Sequence, residues 1–145
     1  MANTLFDIYK EALLGGGNHG GTLVNLTSDT IKVSLIDTGT YNPDTANDED
    51  LADVTPDPRV PSGGGSDQTL TTPTTLNGTF DADDSTFTAI TGNSIEELMI
   101  WKDTATASTS ILLVSFDTAT GLTGGLTPNG GDIVIQWNGS GIFSL

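Results

Sequence analysis

The sequence predicts a mostly β fold, a single β-sandwich or barrel-like domain with a short N-terminal helix and long loops. Apolar and polar residues alternate from Ile31 to Leu35, which is typical of a half-buried strand. Asn138-Gly139 separates two apolar runs near the C-terminus and is a strong signal for a two-residue hairpin turn. The 145 residues fit one domain, and 18 glycines among many threonines indicate loop-rich connections.

The N-terminal segment carries the helical pattern. Asn3 or Thr4 is suited to cap a helix of about three turns, and glycines 15–17 end it. Two interpretations stay open, a terminal helix packed on the core and an arm that docks on a neighbouring subunit. We divide the chain into residues 1–28, a helix and glycine-rich arm, and 29–145, the β domain. The apolar positions of the helix are Leu5, Phe6, Tyr9, Leu13 and Leu14.

Loops and weak strands follow the first strand. Residues 37–39 form a turn, and residues 41–67 contain four prolines, three consecutive glycines and many acidic residues. A segment of this length and composition is a long surface loop. Residues 68–76 are rich in threonine, and Pro73 limits them to an edge strand.

The C-terminal half predicts paired strands. Residues 78–80 and 85–90 flank an acidic turn at 81–84. Residues 95–103 and 108–117 are separated by a loop short enough for a hairpin. We therefore expect residues 95–103 to pair with residues 108–117.

Two further expectations concern burial and pairing near the C-terminus. Residues Ile111–Phe116 are apolar on both faces, which predicts a central, covered strand with one face buried between subunits. Residues 132–137 are expected to pair with 141–145 across the Asn138-Gly139 turn.

Charge restricts the classes of partner. There are 19 acidic and 4 basic residues, for a formal net charge of −15. Because the basic residues form no cluster that displaces phosphate counterions, we expect no nucleic-acid partner and no binding to an anionic membrane. The N-terminus lacks a signal-peptide pattern, and no apolar stretch is long enough to span a membrane. The basic residues are Lys10, Lys32, Arg59 and Lys102.

Catalytic motifs are absent from the sequence. There is no cysteine, and the single histidine, His19, lies in a glycine-rich stretch without an acidic partner for serine-type catalysis. No glycine run leads into a phosphate-binding Lys-Ser/Thr pair. We therefore predict that the protein is not an enzyme and that it uses no cofactor.

Two acidic runs are candidates for a cation site. Asp81, Asp83 and Asp84 are weak candidates for Ca²⁺, since clustered carboxylate oxygens bind hard cations. Residues 48–50 form the second run. Neither has the spacing and closing glutamate of the twelve-residue calcium loop. A solvated acidic turn is the favoured interpretation, and no metal is predicted.

Three blocks follow one another along the chain, Ser28–Tyr41, Phe80–Thr104 and Asp117–Trp137, before the ending Ile-Phe-Ser-Leu. In content and order they resemble a family of small proteins encoded in the structural gene clusters of tailed bacteriophages. Loop 42–58 and glycines 63–65 depart from that pattern. The resemblance implies a virion structural protein on the capsid exterior, a head decoration (cement) protein that binds the major capsid protein lattice.

The resemblance also implies an assembly. We expect a homotrimer, because trimers match local three-fold positions of a capsid. Residues 1–28 are the expected capsid-contacting arm, with residues 1–14 dispensable for folding and the negative charge facing outward in the loop from Asp44 to Asp57. Two alternatives stay open. One is a phage tail or fibre-associated structural protein, although no repeat is visible, and the other is a carbohydrate-binding module.

Overall fold

The computed structural model describes residues 3–15 and 24–145, so the glycine-rich stretch with His19 lies outside the described residues. The predicted mostly β fold is confirmed, with one short helix and several antiparallel sheets in a β-sandwich-like arrangement. In chain order the elements are β1 (Thr4–Leu5), α1 (Asp7–Leu13), β2 (Ile31–Ile36), β3 (Gln68–Thr69), β4 (Thr74–Leu76), β5 (Thr79–Asp81), β6 (Ser85–Phe87), β7 (Glu97–Lys102), a 3₁₀ turn (Ala107–Thr109), β8 (Leu112–Phe116), β9 (Ile133–Ile135) and β10 (Phe143–Ser144).

A five-stranded antiparallel sheet with the strand order β1-β8-β7-β2-β3 forms the centre of the domain. The longest pairing joins β2 to β7, from Ile31 opposite Lys102 to Ile36 opposite Glu97. The predicted β7–β8 hairpin pair is also confirmed, with the 3₁₀ turn in its connection. Strand β2 keeps its alternation only in part, because almost every residue of this central strand is buried.

Strand β8 is central, as its apolar sequence predicts, and lies between β1 and β7. Every residue from Ile111 to Phe116 is buried within this single chain. The expectation that one face of this strand is buried between subunits is therefore wrong. Both faces find apolar partners inside the domain, in a core cluster that includes Phe6, Tyr9 and Trp101.

The predicted C-terminal hairpin is wrong, although its turn forms. Gly141 N donates to Asn138 O at 2.7 Å, and Ser140 N donates to Asn138 Oδ1 at 2.8 Å. The flanking strands enter different sheets, because β9 pairs with β6 and β10 pairs with β5. Earlier segments supply the backbone partners. Ile142 N, for example, donates to Phe80 O at 2.8 Å.

The N-terminal helix is shorter than the periodicity predicts. Leu5 belongs to β1, and Phe6 occupies the N-cap position without a side-chain cap, so the predicted capping by Asn3 or Thr4 is wrong. Phe6 N instead donates to Leu113 O at 3.0 Å, which continues the contact with β8. Asn3 accepts a hydrogen bond from Thr118 at 2.6 Å.

The described part of the N-terminal segment packs into the domain. Phe6, Ile8 and Tyr9 are buried in the common core, and burial raises the pKa of the Tyr9 phenol to about 12. For residues 4–9 the structure matches the packed-helix interpretation of the sequence. Residues 16–23 of the expected 1–28 arm lie outside the described residues.

Candidate functional surfaces

The three weak candidates for a cation site are not brought together. Asp81 accepts a hydrogen bond from Ala82 N at 3.0 Å, Asp83 accepts one from Thr72 Oγ1, and Asp84 accepts one from Trp137 N at 3.0 Å. Each carboxylate thus accepts a hydrogen bond from a different residue. Throughout residues 3–15 and 24–145, no group of three or more His, Cys, Asp or Glu residues is arranged to hold a metal ion.

The acidic loop, residues 42–58, is organised by its own carboxylates. Asp48, which is buried, accepts hydrogen bonds from Tyr41 Oη and from the backbone N of Asp44. A side-chain hydrogen bond from Asn47 is the main cause that lowers the pKa of Asp44. Such bonds hold the backbone in successive turns. The five aspartates that accept backbone N–H bonds are Asp44, Asp48, Asp50, Asp53 and Asp57.

This loop also bonds to the central structure. Asp7 N donates to Thr45 O at 2.9 Å, which ties the loop to the start of the helix. Leu51 N donates to Ser110 O at 3.0 Å, and Leu112 N donates to Glu49 O at 3.2 Å. The sequence predicts a solvated excursion, whereas the structure holds residues 45–51 against the helix and the start of β8. The sequence signal that was available for an ordered loop is the spacing of its aspartates, two to four residues apart.

A partly buried ionic cluster follows the acidic loop. Arg59 donates to Asp57 through Nε at 2.9 Å and Nη2 at 2.8 Å, and to Asp67 through Nη1 at 2.9 Å. Burial raises the pKa of Asp67 despite opposing hydrogen bonds from Ser34 and Arg59. For Asp57 burial acts in the same direction, but the hydrogen bonds from Arg59 outweigh it and the pKa is lowered. The Arg59 guanidinium also lies 6.0 Å from the centre of the Trp101 ring.

A second polar contact lies inside the central sheet. Ser115 Oγ on β8 donates to Glu97 Oε2 on β7 at 3.0 Å, and both residues are buried. Burial raises the pKa of Glu97, and the neighbouring carboxylates of Asp117 and Glu96 raise it further. Sequence reasoning missed this carboxyl. Its only local signal is an acidic residue at the start of a continuous apolar run.

Two of the concave surfaces in the described part of the chain bear on function. The larger, which we call the C-terminal groove, has a volume of about 570 Å³ and lies between residues 118–122 and 133–138. The smaller, of about 340 Å³, lies beside the ionic cluster and is lined by Arg59, Asp57 and Asp37 among others. The charged groups of the smaller cavity already bond to one another or to neighbouring turns.

A pair of leucines is exposed where α1 ends. Leu14 is 88% exposed and Leu13 is 45% exposed. Leu76 on β4 is also largely exposed, at 72%, on a different element. Single exposed leucines are normal on protein surfaces, but two in succession on an anchored helix form a local apolar surface.

Comparisons with known proteins add no family to these observations. No protein-family model matches the chain, and a search of curated proteins finds no significant match either. No helix of the described ranges has the length and apolar character needed to cross a membrane.

Proposed function

We propose that this chain is a non-enzymatic structural protein of a tailed-bacteriophage particle, and that it decorates the head by binding the major capsid protein lattice from outside. The observation that carries the proposal is the resemblance of three sequence blocks to phage structural proteins. Those blocks include β2, β6, β7 and β9, so the resemblance involves the framework of the fold. The departing segment, residues 42–58, packs against that framework at the helix and the start of β8.

Two features of the domain support a role as a rigid attachment module. The acidic loop is ordered by side-chain to backbone hydrogen bonds, which suits a surface that persists outside a cell. Its aspartates are engaged in turns, and Asp81, Asp83 and Asp84 each accept a hydrogen bond from a different residue, which supports a structural rather than a catalytic use of the acidic residues.

The proposed capsid contact is the leucine pair at the end of α1, together with the chain that follows it to residue 28. The helix is anchored by Phe6 and Tyr9, whose side chains are buried, so Leu13 and Leu14 are presented from a fixed base. Apolar side chains held in this way gain more on docking than mobile ones, since less conformational freedom is lost.

The proposal includes a homotrimer at local three-fold positions of the lattice. The apolar face of β8 cannot supply its interface, because that face is buried within the chain. The trimer is therefore proposed to form on the capsid, through contacts that each copy makes with the lattice. Sedimentation of the free protein tests whether the trimer forms only on the capsid. A stable trimer in free solution would require an interface other than β8.

Binding to purified heads tests the proposed function. Heads that lack the protein are mixed with the full chain, sedimented and imaged by electron microscopy. We expect saturable binding in many copies per head, and density confined to the tail would establish the alternative of a tail component. The variant L13S/L14S should lose head binding, and L76S is its matched control because it removes an equally apolar, exposed side chain elsewhere. Equal binding by both variants would rule out the leucine pair as the contact.

A further inference from the structure

The C-terminal groove differs from the rest of this molecule in its charge. The chain carries 19 acidic and 4 basic residues, yet within the described ranges no charged residue lines the groove. Residues 118–122 form one wall and residues 133–138 form the other. Both walls belong to stretches without charged side chains, which lie between Asp117 and Asp132 and after Asp132.

An uncharged lining selects against charged ligands. Phosphates and carboxylates are held in proteins by arginine, lysine or other strong donors, and cations are held by carboxylates. A groove without strong donors or carboxylates cannot offset the free energy that an ion loses when it leaves water. A ligand that fits this surface is therefore neutral.

The lining combines an aromatic pair with amide and hydroxyl groups. The rings of Phe116 and Trp137 lie 6.1 Å apart, centre to centre. The side chain of Gln136 can donate and accept hydrogen bonds, and the amide nitrogen of Asn138 can donate. The Thr118 hydroxyl, which donates to Asn3, can still accept one. Sugars present an apolar C–H face and a rim of hydroxyls, so a neutral saccharide matches both parts of this lining. The volume of about 570 Å³ also falls in the range of sites that enclose small ligands.

The position of Trp137 provides a second observation. Its indole N–H is buried and has no hydrogen-bond partner among the described residues. An unsatisfied buried donor destabilises a fold, and such features concentrate where a site needs a particular geometry. Because this N–H is inaccessible, it cannot donate to a ligand in the groove. The side chain of Trp137 is therefore suited to contact a ligand by stacking of its ring.

We propose that the C-terminal groove binds a neutral oligosaccharide, which stacks on Trp137 and bonds to the hydroxyl and amide groups of Thr118, Gln136 and Asn138. This inference goes beyond the proposed virion function and does not depend on it. On a virion surface such a groove would give weak attachment to glycans, multiplied by the number of copies present.

Direct binding of defined glycans to the full chain tests the inference. The probes are neutral gluco-, manno- and galacto-oligosaccharides, with sialylated and sulfated glycans as charged counterparts, and the readout is calorimetry or an array. We expect binding of at least one neutral series and none of the charged counterparts. Failure of every neutral series, or selective binding of a charged glycan, would overturn the proposal.

A pair of charge-introducing variants assigns the binding to the groove without disturbing the core. Thr120→Asp places a carboxylate in the groove at an exposed residue, and Thr75→Asp places the same charge on an exposed residue of β4. We expect Thr120→Asp to weaken neutral-glycan binding by at least about tenfold, since changes at the centre of an interface have effects of this size. Thr75→Asp should leave the binding unchanged. Gln136→Ala should weaken it as well. Unchanged binding by Thr120→Asp and Gln136→Ala would place the ligand elsewhere and refute the assignment. Head binding by these variants, measured separately, reports on the virion proposal alone.

Discussion

Arg59 and Asp67 form an ion pair in which Nη1 donates to the carboxylate at 2.9 Å, and it joins the chain just after the acidic loop to the start of β3. Only 5% of the Asp67 side chain is exposed. The same guanidinium holds Asp57, so one side chain organises two carboxylates that are separated by ten residues. A pair this well buried has consequences for stability that differ from those of a surface pair.

Replacing Arg59 by alanine should destabilise the domain by about 3–5 kcal/mol, because the Asp67 carboxylate loses its cationic partner and keeps only the hydrogen bond from Ser34. Urea unfolding, followed by the fluorescence of the tryptophans, measures the loss. The matched control is Lys10→Ala, which removes the exposed Lys10–Asp7 pair and should change stability by about 0–1 kcal/mol. Similar losses for both variants would contradict a structural role for the Arg59 cluster.

The buried carboxyl of Glu97 should make stability depend on pH. Its folded pKa lies above the usual glutamate value of 4.5, so the folded state binds more protons than the unfolded state between those two pKa values. Its contribution to stability is therefore fully present below pH 4.5 and is lost as the pH rises through the folded pKa. Glu97→Gln should gain stability over the natural chain at pH 7, and the gain should shrink toward pH 4.

Thermal unfolding of both proteins across this pH range measures the effect. Glu11→Gln is the control, since Glu11 is an exposed residue of the helix and is not held between strands. A Glu97→Gln variant that is less stable at every pH would show that the Ser115 contact requires the carboxylate.

The turn after β2 predicts the opposite pH behaviour. Asp37 accepts hydrogen bonds from Thr40 Oγ1, Gly39 N and Asn93 Nδ2, and the bond from Thr40 is the main cause that lowers its pKa below 3.8. Its stabilising contribution is present above pH 3.8 and is lost as the pH falls through the folded pKa. Asp37→Ala should cost about 1–3 kcal/mol at pH 7, because three hydrogen-bond donors lose a charged acceptor. The difference from the natural chain should decrease in acid, as chemical denaturation at several pH values would show.

Removal of residues 1–14 should prevent stable folding, contrary to the expectation from sequence that this segment is dispensable. The truncation deletes β1, the helix and the fully buried Phe6. The single variant Phe6→Ala should cost about 3–5 kcal/mol, as large-to-small changes in a core do. Leu14→Ala, at the exposed end of the same helix, is the control and should be nearly neutral. A folded, cooperative 15–145 fragment in circular dichroism and urea unfolding would contradict this prediction.

Local patterns in the sequence determined the fold class and the three longest strands of the central sheet, β2, β7 and β8. Alternation over Ile31–Leu35 and the apolar runs of β7 and β8 are sufficient, because a strand buried at the centre of a sheet needs continuous or alternating apolar residues whatever its neighbours. The prediction that β7 and β8 pair followed from the short connection between them, since few geometries can join strands so close in the chain.

Only the tertiary structure decided the partners of the remaining segments. Asn138 forms the turn that its sequence predicts, but β9 and β10 bond to β6 and β5, and a turn signal carries no information about strands so distant in sequence. Phe6 likewise extends the contact with β8 instead of lying within the helix, because the backbone of Leu113 offers an acceptor there. The packing of the acidic loop and the formation of the uncharged C-terminal groove were undetermined by the sequence for the same reason. Hydrogen-bond partners and burial are supplied by residues far away in the chain, and composition alone does not specify which residues they are.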